Sequence, residues 1–263
     1  MLSIKPYRTL FQRYCLLAVL IFAGHNAWSQ PQVLTEKQLG NQRVWNARMS
    51  SDENLRQAFT KQQLQYPPKF VYWRVFKKEK QMELWAADSA HHRYKLVKSY
   101  AIVNMSGTLG PKRMEGDYQV PEGYYHINQY NPYSNFYLSY KVSYPNKSDS
   151  ILGNKGNYGG QIFVHGDSLT IGCLPMSDEV IKELYWCNVQ AQNNKDTSYY
   201  IPIHIYPCRM NAGNWAYLKS YFNFDNKRLE FWRNLQDGFN YFEVMRTPPK
   251  MTVDNTGKYQ VKY

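Results

Sequence analysis

Apolar and polar positions change period along this chain of 263 residues. Ser51-Asp52-Glu53 reads as a helix start, and Leu55, Ala58, Phe59 and the stretch 62–64 continue at helical spacing until Pro67-Pro68 stops them. Beyond Phe70 the period falls to two. Val71, Trp73 and Val75 alternate with Tyr72, Arg74 and Phe76, a charged turn runs from Lys77 to Gln81, and residues 82–85 return as the second arm of a hairpin. Further short strands are expected over residues 94–103, 124–129, 136–140, 162–165 and 201–206. Gly107, Gly110, Pro111, Gly116, Pro121 and Gly123 punctuate a long connection between two of them. A helix is expected over residues 177–189, with Ser177 as its cap and Asp178 and Glu179 at the positive end of its dipole. Another is expected over residues 229–246, and Pro248-Pro249 keeps it from continuing. The pattern is mainly β with a few helices, an α+β chain, and it holds no internal repeat.

The first residues follow another logic. Lys5, Arg8 and Arg13 precede an apolar run from Cys15 to Gly24, and Ala27-Trp28-Ser29 places small residues before Gln30. This composition is that of a secretory signal peptide over residues 1–29, with an apolar run too short to span a bilayer. The expected location is therefore the periplasm or cell envelope, with no membrane span once the signal is cut. A chain cut there keeps 234 residues, enough for one domain and an extension. It would carry 29 basic and 20 acidic side chains, a net +9. That charge suits an anionic polymer. Nucleic acid is not an expected partner, because the chain is exported and its basic residues are scattered.

Three cysteines remain beyond that cut: Cys173, Cys187 and Cys208. An odd count leaves at least one thiol outside any intrachain bridge. Cys187 and Cys208 suit either a disulfide, which an oxidising compartment permits, or two buried apolar positions. Their separation lacks the close spacing of a zinc knuckle, and His91-His92 sits in a polar turn, so neither a metal nor another cofactor is expected. The 24 tyrosines and 7 tryptophans suit strand packing first, and stacking on sugar rings second.

The stretch IFVHGDSLTIGC, residues 162–173, carries the candidate chemistry. It sets His165 eight positions before Cys173, with Gly166 after the histidine and Gly172 before the cysteine. Nucleophilic catalysis by a thiol needs a base to take its proton and backbone N–H groups to hold an oxyanion. Glycine leaves that backbone open to a substrate carbonyl. A lone His and Cys also serve ordinary packing, and spacing alone does not separate the two readings.

Several blocks taken together do. YPPKFVYWRVFKKEKQMELWA at 66–86, SGTLGPKRMEGDYQVPEGYYHI at 106–127, NPYSNFYLSYKVSYPNKSD at 131–149, GGQIFVHGDSLTIGCLPMSDEVIKELY at 159–185 and IPIHIYPCRM at 201–210 occur in one order. In that order they resemble the L,D-transpeptidase (YkuD-type) catalytic domain, and within it the YafK-like branch. The resemblance implies a sandwich- or barrel-like β domain over residues 70–207. A helical lead-in over 30–69 precedes it, and a helical C-terminal extension over 208–263 comes after.

The resemblance also implies a reaction. Cys173 would attack the carbonyl between an L-centred residue and D-alanine in a peptidoglycan stem peptide, forming a thioester that an amine or water resolves. His165 would be the general base, and Gly172 with Cys173 would offer N–H groups to the oxyanion. Gly166, Thr170 and His126 are the expected substrate contacts. The common family pattern has a second histidine where Ile171 stands and an arginine where Pro175 stands. The broad family's chemistry ranks transfer first. Hydrolysis of a stem-peptide bond, or of a link between a wall-attached protein and peptidoglycan, ranks second. A catalytically idle wall-binding module is the reading of another class, and the intact His165–Cys173 pair argues against it.

Overall fold

The computed structural model describes residues 34–193 and 200–262. The expected signal peptide lies outside them. The helices are α1 (Leu34–Leu39), α2 (Gln42–Lys61), α3 (Lys147–Leu152), α4 (Asp178–Asn193), α5 (Ala212–Tyr221) and α6 (Asn226–Met245). The strands are β1 (Phe70–Phe76), β2 (Gln81–Ala87), β3 (Lys95–Ala101), β4 (Gly123–Asn131), β5 (Ser139–Val142), β6 (Phe163–His165), β7 (Leu174–Pro175), β8 (Pro202–Tyr206), β9 (Lys250–Val253) and β10 (Tyr259–Lys262). The first eight strands form one mixed half-barrel sheet in the order β3-β2-β1-β8-β4-β5-β6-β7, and β9 pairs with β10 apart from it. The α+β expectation therefore holds. Among the described residues no helix is long and apolar enough to cross a membrane.

Helix α2 starts nine residues before the expected start at Ser51, because Asn41 caps it by accepting the Arg43 N–H at 2.8 Å. Val44, Ala47, Ser51, Leu55 and Phe59 then recur every three or four residues and form its buried face. That face packs with α4 over the side of the sheet carrying Val71, Trp73, Val75, Ile203 and Ile205. The Trp73 indole donates to Asn188 Oδ1 of α4 at 2.7 Å, which ties helix to sheet through the core.

Both faces of β1 are buried. The C-terminal extension covers the second. Arg74, 1 % exposed, lies within 6 Å of the ring centroids of Phe76, Trp85, Tyr206, Phe239 and Phe242 and pairs with Glu243 of α6 at 2.8 Å. A guanidinium tolerates burial when its charge meets a carboxylate and its flat faces meet rings.

Lys77, read as part of a charged turn, is likewise buried. Its ammonium pairs with the buried Glu122 at 3.0 Å and donates to Gly110 O and Val120 O, each at 2.8 Å. Glu122 also accepts the Gly110 N–H at 2.7 Å and the Trp232 indole of α6 at 2.6 Å. Two charges taken out of water need this many partners. The network fixes both ends of the glycine-rich connection 107–122, whose middle borders the candidate site.

The sheet thus has two unlike halves. Helices cover both faces of β1, β2 and β8. Over β5, β6 and β7 the core and α4 seal one face, with Tyr140, Val142, Val164 and Leu174 fully buried; on the other, Ser139, His165 and Pro175 are buried while Lys141 and Phe163 are half-buried.

Candidate functional site

Pairing register places the candidate residues on the other face of that second half. β6 runs parallel to β7 with Val164 beside Leu174 and His165 beside Pro175. Cys173 is one place earlier and so stands beside Phe163, whose N–H donates to Cys173 Sγ at 3.4 Å. Residues two apart on a strand share a face, so His165 and Cys173 face the same way. Strand spacing and rise put their Cα atoms roughly 8 Å apart. The same register continues outward. Lys141 pairs with Phe163 and with Gln129, Ser139 pairs with His165 and with Asn131, and His126 falls beside Ser143. Eight residues of sequence and one tight loop therefore bring His165 and Cys173 to a partly open face, on which Ser139, His165 and Pro175 are buried and Lys141, Phe163 and Cys173 are half-buried.

His165 is buried and its orientation is set by backbone. Its Nδ1 lies 2.5 Å from Gly166 O. A carbonyl can only accept, so Nδ1 carries the proton and Nε2 is left bare. Burial pushes the imidazole below its ordinary value; the Gly166 carbonyl and the nearby Asp167 carboxylate offset this in part. The ring is neutral at pH 7, the form a base requires. The Phe136 ring covers it at 4.7 Å between centroids. Phe136 was expected in a strand over 136–140, but β5 begins only at Ser139. Arg43 of α2 donates to Ser134 O at 2.7 Å and Tyr137 O at 2.6 Å and holds these residues as a turn over the histidine.

Gly166 is needed for packing. Its N–H donates to Phe136 O at 3.0 Å, and a Cβ there would overlap Asp178 Oδ1 and stand 2.8 Å from Phe136 O. Gly172 is buried at φ +139°, a conformation that favours glycine, with a Cβ site only 3.2 Å from Gln119 O. Thr170 Oγ1 donates to Cys173 O at 2.7 Å and accepts the Gly172 N–H at 3.2 Å, so it holds the loop that presents the cysteine. His126 reaches the open face half-buried, its ring 4.6 Å from that of Tyr200, and burial lowers its pKa as well. Ile171 is 75 % exposed at the rim, and Pro175 is buried in β7.

The Cys173 thiol is half-buried. Its Sγ lies 3.5 Å from Gln161 O, which can accept the S–H. Burial raises its pKa, and the Phe163 N–H and the positive charge of Lys112 offset this only in part. Lys112 is itself held by Asp117 at 2.6 Å and by Met114 O at 2.9 Å. The resting pair is therefore neutral thiol with neutral imidazole. The rate of Cys173 alkylation by iodoacetamide should accordingly rise about tenfold per pH unit from pH 6 past the ordinary thiol value of about 8.5. A plateau already reached near pH 7 would show a preformed thiolate–imidazolium pair instead.

Cys187 and Cys208 are free thiols buried in separate hydrophobic clusters, which excludes the disulfide between them that sequence left open. Among the described residues no group of three His, Cys, Asp or Glu side chains is placed to hold a metal. Sequence reading missed Phe136, Lys112 and Lys141. No local pattern marks them, because a displaced strand and two long connections bring them to the site.

Residues 71–205 match the family model described as YkuD, L,D-transpeptidase catalytic domain. The chain is 37 % identical over 203 residues to the Escherichia coli protein named "Putative L,D-transpeptidase YafK", covering 76 % of each. It is also similar to the solved helical cell shape determining protein Pgp2 from Campylobacter jejuni, with 15 % identity, coverage of 73 % and 75 %, and TM-score 0.41. Bd1075 from Bdellovibrio bacteriovorus matches at 19 % identity, coverage of 66 % and 60 %, and TM-score 0.37.

Proposed function

This chain belongs to the YkuD L,D-transpeptidase family, and on that premise we propose that it is an exported cysteine acyltransferase acting on peptidoglycan stem peptides. The observation that carries the proposal is the placement of His165 and Cys173 on one partly open sheet face, with the imidazole held by Gly166 O so that Nδ1 carries the proton and Nε2 does not. Nε2 takes the thiol proton as Sγ forms a bond to the scissile carbonyl carbon. The proton then passes to the departing amine, the C–N bond breaks, and a thioester remains on Cys173. An incoming amine gives up its proton to the same nitrogen and takes the acyl group. The developing oxyanion is held by backbone N–H groups of Gly172 and Cys173. A charged acceptor replaces Thr170 Oγ1 on the Gly172 N–H, a favourable exchange because charge-assisted hydrogen bonds are the stronger kind.

The basic composition and the pattern of residues 1–29 support an envelope location, where the substrate would be stem peptides or proteins attached to the wall. One observation favours a second outcome for the thioester. Cys173 is half-exposed on an open face, which admits water as readily as an amine. The partition is measurable by mass spectrometry of a tetrapeptide muropeptide incubated with and without glycine or a second stem. Exchanged or dimeric product is the expected result. Tripeptide alone, formed at a rate indifferent to the amine, would make the protein a hydrolase. No product and no acyl-enzyme from any donor would reject the reading.

A further inference from the structure

One residue on the open face has no task within the fold. Lys141 lies between Tyr140 and Val142, both fully buried on the core side, so its side chain projects to the face that holds Cys173. There it is half-buried, in the lateral row that runs Gln129, Lys141, Phe163, Cys173. Every other half-buried or buried lysine or arginine among the described residues meets a carboxylate, except Arg48, which stacks on Trp45 and Trp186. Among the same residues the Lys141 ammonium forms no hydrogen bond and no ion pair. The positions that share its face, from His126 and Gln129 to Phe163 and His165, include no aspartate or glutamate. An ammonium with no acid beside it, on the face that holds Cys173, is open to an anionic ligand.

We propose that Lys141 is a carboxylate-binding residue that fixes the acyl-donor peptide across the open face, with the scissile carbonyl at Cys173. The inference rests on the donor being a stem peptide. Two strand spacings, roughly 10 Å, separate Lys141 from Cys173, and the four-carbon stem carries the ammonium along part of that gap. The ammonium therefore meets a carboxylate borne within about two residues of the carbonyl under attack. Two groups of the donor satisfy that distance: the C-terminal carboxylate of the departing residue, and a carboxylate on the side chain of the residue that is transferred.

The test compares wild type, Lys141→Met and Lys141→Arg on three donors: the free-acid tetrapeptide, its C-terminal amide and its side-chain amide. Lys141→Met should raise KM for the free acid by about 10- to 100-fold with kcat little changed, the size of one charge-assisted contact. Lys141→Arg should recover most of that loss. Amidating the recognised carboxylate should cost wild type the same factor and leave Lys141→Met indifferent, which identifies the group. An equal penalty on all three donors, or none on any, would overturn the proposal. Binding of the free acid to Cys173→Ala, with and without Lys141→Met, decides the matter without turnover. A 10- to 100-fold weaker Kd supports the role of Lys141 even if wild type forms no acyl-enzyme, an outcome that would reject the reaction alone. Equal affinity, or no binding to either protein, rejects Lys141 as the ligand-binding group.

Discussion

Cys173→Ala should form no acyl-enzyme with a stem tetrapeptide and should lose turnover on the order of 10⁶-fold, as happens when a nucleophile acting as a unit with its base is removed. The fold should survive, because Cys173 makes only two weak sulfur contacts, with the Phe163 N–H and Gln161 O. Intact-mass measurement after brief iodoacetamide treatment gives a second readout. Native protein starting at Gln30, and so lacking Cys15, should take one label and its alanine variant none. Cys187 and Cys208 are both buried, burial holds the Cys187 thiol far above the ordinary range, and burial pushes the Cys208 thiol up to about 12. Neither supplies thiolate at neutral pH. Activity of the alanine variant within a hundredfold of wild type would end the assignment of Cys173 as nucleophile.

His165→Ala should lower kcat/KM by about 10²- to 10⁴-fold, the usual contribution of a positioned base. It should also abolish the acid limb of the pH–rate profile. That limb lies below the ordinary imidazole value of about 6.5, because burial disfavours the charged ring and the neutral form persists as pH falls. Ile171→Ala should leave both quantities near wild type, since Ile171 projects into solvent and carries no proton. The decisive comparison is between these two variants. Equal loss in both would mean that the loop's shape, and not proton transfer at His165, limits the reaction.

The reach of sequence reading differs from element to element. The strands around residues 70–76 and 202–206 and the helices near 177–189 and 229–246 were legible, because β-branched and aromatic alternation or three-to-four spacing is written locally. Ends were less so. α2 begins at Gln42 because Asn41 supplies a cap, while Ser51 is an interior, buried position. The strand expected over 136–140 slides to Ser139–Val142, because Arg43, more than ninety residues upstream, pins the preceding turn. That displacement hid Lys141. Helices α3 and α5 and the hairpin β9–β10 carry weak periodicity and went unread. They form against surfaces that the rest of the chain provides.

His165 and Cys173 were identifiable from one loop, because thiol, imidazole and flanking glycines lie within twelve residues and the matching blocks recur in order along the chain. Sequence by itself determined the alternation of helix and strand, the family, and the two residues proposed for the chemistry. Tertiary structure decided which face of the sheet stays open. It also decided that Nδ1 and not Nε2 of His165 is occupied, that both thiol and imidazole rest neutral, and that Lys141 lacks an acid. Those outcomes depend on what packs against each residue from far along the chain. Helix α6 covers one face of the sheet over β1, β2 and β8, while that face stays part-exposed at Lys141, Phe163 and Cys173, and burial sets a pKa only once such neighbours have displaced water.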